Sequence, residues 1–212
     1  EESVNIASEE MQEVAAVTVD PDSYIRELYV EDNRLAVFYT QSRYTQGDGI
    51  DVSAREYTCT DVYDISDPST PVKLNTLSQS GVYNTMRVKD GYAYVLSSFY
   101  PDTASPRSDA GAYVPSVQGG TLEADRIFMP EQEMGSEYTV ITAFSLADPQ
   151  EQTDSRAVFG SAGLCYVSGE NIYVTESCYD TDDSDVTRTA IRKVAYHDGL
   201  LEGAAKTKID GL

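Results

Sequence analysis

The chain has 212 residues, 41% of them apolar, with 16 tyrosines and no tryptophan. That is enough for a real core in one domain or two small ones. Its 36 acidic residues against 15 basic give a net charge of -21, which argues against nucleic acid and anionic membranes as partners, because both need a basic footprint.

No long apolar run is present, so no membrane insertion is expected. The start, Glu1-Glu2-Ser3, lacks the basic and apolar stretches of a signal peptide, so any such leader is expected to be gone already. The chain begins inside its own pattern and reads as a piece of something longer. Residues 1–20, with "EMQEVAAVTVD", have the alternation of the last strand of a preceding unit.

From there one pattern recurs. "LYVEDNRLAVFYT" (28–40), "MRVKDGYAYVLSS" (86–98) and "CYVSGENIYVTES" (165–177) each read as strand, tight polar turn, strand. Asp-Gly and Asn in those turns supply the positive φ that short hairpins need. A second pattern lies between them. "YTCTDVYDISDP" (57–68) aligns with "YTVITAFSLADP" (138–149), placing Cys59 on Val140, Tyr63 on Phe144 and Ile65 on Leu146. A weaker copy, "RTAIRKVAYHDG" (188–199), carries Gly199 in place of the proline. Apolar residues fall at every second position, the period of a strand with a buried face. Last strands are expected at Val72–Ser78, Arg156–Gly160 and Ala205–Ile209.

The spacing of Val30, Val88 and Val167 is uneven, and the excess lies in 101–136. Setting that insert aside leaves units of roughly 40–50 residues with four strands each, the size of propeller blades. The expected fold is therefore all-β: a β-propeller segment of about three four-stranded antiparallel blades, part of a larger ring. The boundaries are 1–20 for the last strand of a preceding blade, 21–81 for a blade, 82–163 for a blade with the 101–136 insert, and 164–212 for a blade. A lone sheet of this kind cannot bury both faces, so the units must stack, and the terminal faces are candidates for self-association.

The segment "VYDISDPSTPVKLNTLSQSGVYNTMRVKDGYAYVLSS" is similar to the LVIVD-type repeats of bacterial surface proteins. "YIRELYVEDNRLAVFYTQ", "YVPSV", "EYTVITAFSLADP" and "ENIYVTES", in that order, resemble secreted bacterial and archaeal proteins with a C-terminal β-propeller domain. The resemblance runs from about Tyr24 to the C-terminus. It implies a secreted or cell-surface, extracytoplasmic location and brings no catalytic residues with it.

Chemistry is sparse. The one histidine, His197, reads as a surface turn residue, and no G-x-S-x-G, H-E-x-x-H, P-loop or G-x-G-x-x-G occurs. Three cysteines are too few for a disulfide scaffold. Cys59 reads as a small core residue. Cys165 and Cys178 fall on two arms of one hairpin and are either bonded or two thiols. "DTDDSD" offers Asp180, Asp182, Asp183 and Asp185 as oxygen ligands for Ca²⁺, without the glycine and distal glutamate of an EF-hand; the alternative is a solvated acidic loop. In the insert, Tyr113, Val114, Phe128 and Met129 are the residues expected to contact a partner, or else to cover a sheet edge. Two functions follow. One is a non-catalytic binding module for a protein, peptide or glycan. The other is a propeller-based hydrolase or lyase using Asp and Tyr on the ring face.

Overall fold

Three antiparallel sheets, laid down in chain order, dominate the computed structural model, which describes residues 13–46, 52–129, 135–160, 164–179 and 187–211. The first sheet is β1 (Ser23–Glu31), β2 (Arg34–Gln46), β3 (Val52–Asp64) and β4 (Val72–Ser80). The second is β5 (Val82–Lys89) and β6 (Tyr92–Phe99), continued after the insert by β10 (Tyr138–Ser145) and β11 (Gln152–Phe159). The third is β12 (Cys165–Val167), β13 (Asn171–Tyr179), β14 (Thr187–His197) and β15 (Leu200–Asp210). Within each sheet these four strands neighbour one another in sequence order. The all-β reading of the sequence, in antiparallel sheets, holds.

The equivalence of the units reaches single hydrogen bonds. Ile65 N–H donates to Asn33 O at 2.9 Å, Leu146 N–H to Gly91 O at 2.9 Å, and Tyr196 N–H to Glu170 O at 3.0 Å. In each unit the end of the third strand is thus tied to the turn between the first two. At the opposite end, Gly81 N–H donates to Glu56 O at 2.8 Å and Gly160 N–H to Glu137 O at 2.9 Å.

Strand alternation explains the stacking, because successive side chains point to opposite faces. On β6, Ala93 and Val95 join Ala36, Phe38, Val62 and Leu77 of the first sheet in one core. Their neighbours Tyr94 and Leu96 join Ile172, Val174, Val194 and Tyr196 of the third sheet in another. The middle sheet is therefore buried on both sides. Polar groups held between sheets find partners there, as groups cut off from water must. Gln79 Nε2 donates to Ser97 Oγ at 2.8 Å, and Thr142 Oγ1 donates to Gln79 Oε1.

Two expectations shift. The last strands are longer than the sequence suggested, β11 starting at Gln152 and β15 at Leu200. These outer strands carry polar residues on both faces, so alternation under-reports them; for β15, Asp198 and Gly199 at positive φ turn the chain tightly enough to pair His197 with Leu200. Residues 13–20, read as a last strand, are in no sheet ladder. Val17 and Val19 instead lie on the outer face of the first sheet, against the core of Val37, Tyr39, Cys59 and Tyr63.

The insert adds three short strands at the outer edges of the sheets. β7 (Ser116–Val117) pairs with β4 and in turn with β8 (Gly120–Thr121). β9 (Ile127–Phe128) pairs in parallel with β11. One stretch of chain thus reaches the last strands of two sheets.

Candidate functional site

Because the strands alternate in direction, each sheet puts its short turns on one rim and its longer connections on the other. The second-to-third strand connections and the sheet-to-sheet junctions share the latter rim. A cleft of about 210 Å³ opens there, between the start of β3, the end of β4, the end of β6 and the start of the insert.

Its floor is Gly81, the junction from the first sheet to the second. Gly81 has φ of 98°, and a Cβ there would stand 2.5 Å from Ser98 O, so only glycine lets the backbone pass. Thr58 Oγ1 fixes it by donating to Gly81 O at 2.9 Å. Arg55, Glu56 and Tyr57 form one wall, and Phe99, Tyr100 and Asp102 the other. Tyr100 stands 59% exposed at the mouth. The Arg43 guanidinium lies 4.2 Å over the Tyr57 ring, a cation–π contact.

The insert wall is held by charge and by turn chemistry. Arg55 forms a two-pronged ion pair with Asp109 at the start of the single helical turn α1 (Ala110–Tyr113). That guanidinium holds the Asp109 carboxyl below the ordinary carboxylate range, and the hydrogen bond to Asp109 raises the arginine in turn. Asp102 accepts from Ser105 Oγ at 2.7 Å and from Ala104 N–H at 3.0 Å, which lowers its pKa also.

The four insert residues picked from the sequence have different surroundings. Tyr113 donates its hydroxyl to Ser105 O within the insert, and it and Val114 are half-buried. Phe128 packs on the core between the second and third sheets, with its ring against Gly203. Met129 is 54% exposed. The insert is further fastened by Ser116 N–H donating to Ser80 Oγ at 2.8 Å and by Arg126 pairing with Asp154 at 2.7 Å. Sequence reasoning missed Arg55, Tyr100 and Asp102, because nothing local marks residues that meet only when the insert folds back. Asp102 followed closely by Ser105 was the one available hint of a turn.

Asp180, Asp182, Asp183 and Asp185 lie outside the described residues. Among the described residues no group of three or more His, Cys, Asp or Glu is arranged to hold a metal ion. Cys165 sits opposite Val174, four positions before Cys178 on β13. That is roughly 13 Å along a strand, beyond the Cα separation of about 7 Å that a disulfide spans.

Among the described residues, two acidic residues are buried outright, on different sheets. Asp61, fully buried, accepts from Thr76 Oγ1 at 2.7 Å and Tyr39 OH at 3.1 Å and pairs with Lys73 Nζ at 2.6 Å. Glu176 pairs with Arg192 at 3.7 Å, and burial pushes its pKa up. The Tyr39 and Tyr83 phenols are raised well above the ordinary value, by burial first and then by neighbouring acidic groups, Asp61 among them for Tyr39 and Glu27 for Tyr83. His197 is 48% exposed on the rim of short turns, beside Asp198 and Glu202.

Consecutive four-stranded antiparallel sheets, stacked face to face with a cleft at the rim of long connections, define a β-propeller architecture. A family model described as a β-propeller domain matches residues 1–212, and the chain belongs to that family. None of the curated proteins compared with the chain matches it. No helix among the described residues is long and apolar enough to cross a membrane.

Proposed function

We propose that the chain is a non-catalytic, extracytoplasmic binding module that takes a protein, peptide or glycan segment at the cleft beside the insert. The observation that carries this reading is the composition of that cleft. An exposed tyrosine stands at its mouth, a guanidinium and carboxylates line it, and its glycine floor is fixed. Aromatic faces with a few oriented polar groups suit a peptide or sugar segment. The alternative, a hydrolase or lyase using Asp and Tyr, has less support. General acids and bases work best with a pKa near the operating pH, whereas Tyr39 and Tyr83 are pushed upward. Asp61 and Glu176 are each engaged by a separate cation.

The test is capture from panels of peptides and glycans by the intact chain and by Tyr100→Ala. Tyr100 is exposed, so its truncation leaves melting unchanged. Capture that Tyr100→Ala abolishes supports the module. Capture indifferent to Tyr100, or ester or glycoside turnover abolished by Asp61→Asn, defeats it.

Self-association belongs to the same proposal. Ile25, Leu28 and Val30 on the first sheet and Tyr166 on the third are all more than half exposed, and sedimentation across concentration tests it. Calcium at Asp180, Asp182, Asp183 and Asp185 is likewise proposed from the sequence. An unchanged melting midpoint in millimolar Ca²⁺ removes it.

A further inference from the structure

We infer that the cleft beside the insert selects a cationic side chain, lysine or arginine, carried by an extended peptide. This rests on the binding reading above and narrows it to one class of ligand. Size argues first. At about 210 Å³ the cleft falls below the roughly 300–1,000 Å³ of pockets that enclose a whole small ligand. It therefore takes one side chain of a segment whose backbone stays outside.

Charge follows from which groups are already paired. Among the described residues the lining holds one cation, Arg55, and two carboxylates, Glu56 on one wall and Asp102 on the other. Arg55 is engaged by Asp109, which lies outside the lining. Arg43 is outside it too, held over the Tyr57 ring and donating through Nε to Gln41 Oε1 at 2.7 Å. Glu56 accepts from Ser42 Oγ at 2.6 Å, and Asp102 from Ser105 Oγ and Ala104 N–H. These donors are neutral, so they orient both carboxylates without cancelling their charge.

The aromatic lining suits the same occupant. The Tyr100 ring stands exposed at the mouth, where its face attracts a cation. The apolar stem of a lysine or arginine packs on such a ring while its charged head goes on to the carboxylates. Acidic residues are everywhere on a chain of net charge -21. What sets the cleft apart is that its carboxylates stand in a concave site beside an open aromatic face.

The experiment titrates the full chain with a blocked pentapeptide carrying one lysine among glycines, and with its acetyl-lysine and glutamate counterparts, and follows the amide resonances of Gly81 and Tyr100. Two double variants remove equal charge. Glu56→Gln/Asp102→Asn does so in the cleft, each amide keeping an oxygen to accept the same hydrogen bonds, and melting verifies the fold. Asp148→Asn/Glu151→Gln does so at exposed positions between β10 and β11, on the opposite rim. The lysine peptide is expected to shift both resonances and to bind roughly tenfold more tightly than the other two peptides. The cleft variant is expected to weaken it roughly tenfold, and the remote variant by no more than about twofold. Three results overturn the inference: no shift at Gly81 and Tyr100, equal binding of the lysine and acetyl-lysine peptides, or equal weakening by the two double variants. The peptide comparison on the unaltered chain decides even where the cleft variant melts early. A neutral peptide or glycan whose capture is abolished by Tyr100→Ala leaves the binding module standing and removes the charge selection alone.

Discussion

Gln79, on the last strand of the first sheet, donates through Nε2 to Ser97 Oγ of the second sheet at 2.8 Å, while Ser97 Oγ donates to Ser80 O at 2.6 Å. The amide oxygen of Gln79 accepts from Thr142 Oγ1. Gln79 is 3% exposed and Thr142 2%, so water does not replace what a substitution removes. Gln79→Leu leaves the Thr142 hydroxyl without its acceptor, at a cost of about 1–3 kcal/mol. Adding Thr142→Val removes the orphaned hydroxyl and recovers part of the loss. Urea titration of the two single variants and the double closes the cycle; additive losses would show that the bond does not couple the sheets.

Phe128 provides a second test, since its ring carries a contact from the insert to the third sheet. Phe128→Ala removes a ring that is only half-buried, and a loss of about 2–4 kcal/mol is expected, somewhat less than the roughly 3–5 kcal/mol for fully buried phenylalanine. The loss falls on the junction of the second and third sheets. Exchange of amides in 194–203 accelerates, while those in 58–63 are unaffected. Uniform acceleration would mean that the insert does not act locally.

How far the sequence led depended on how local the signal was. Alternation and the repeated Asp-Pro and Asp-Gly ends marked the inner three strands of each unit. Those strands bury one residue in two whatever lies beyond them, as Ala93 and Val95 against Tyr94 and Leu96 show. The outer strands were under-measured because Thr153, Asp154 and Lys206 owe their places to contacts across sheets or to exposure, and no periodicity reports that. The cleft was illegible for a related reason. Arg55 and Asp109 are 54 positions apart, and only the folding of the insert back onto β3 makes them a pair. Composition did anticipate the insert's packing, through its apolar residues, though not that Phe128 would reach the third sheet.

Acid should loosen the insert before the sheets. Asp109 and Asp102 both have pKa values below the ordinary carboxylate value of 3.8, through Arg55 and through Ser105 with Ala104 respectively. For a carboxylate lowered in the folded state, the stabilising contribution is present above the unfolded value and is lost as pH falls through the folded one. The insert anchor is therefore intact at pH 5 and weakens below about pH 4. Amide exchange of 102–113, corrected for the intrinsic rate, is expected to accelerate over that range ahead of 93–97. In Arg55→Met the Asp109 part of that acid sensitivity disappears, because the insert has already lost this anchor at pH 5.

Cys59 tests the first sheet from its other face. It is fully buried, and its thiol is pushed up to about 11, by burial first, against the opposing influence of Arg43, whose Nη2 lies 3.6 Å from Sγ. The thiolate is the reactive species, and neither access nor ionisation favours it near pH 8. In the folded chain Cys59 is expected to resist a maleimide at pH 8 and to react within the dead time once urea unfolds the first sheet. Mass mapping of the modified peptide identifies the site. Because Val17 and Val19 cover this face, Val17→Asp/Val19→Asp should speed the labelling of Cys59 with little effect on amides in 172–174. Native labelling of Cys59 at the rate of an exposed thiol would mean that residues 13–20 do not hold that cover in solution.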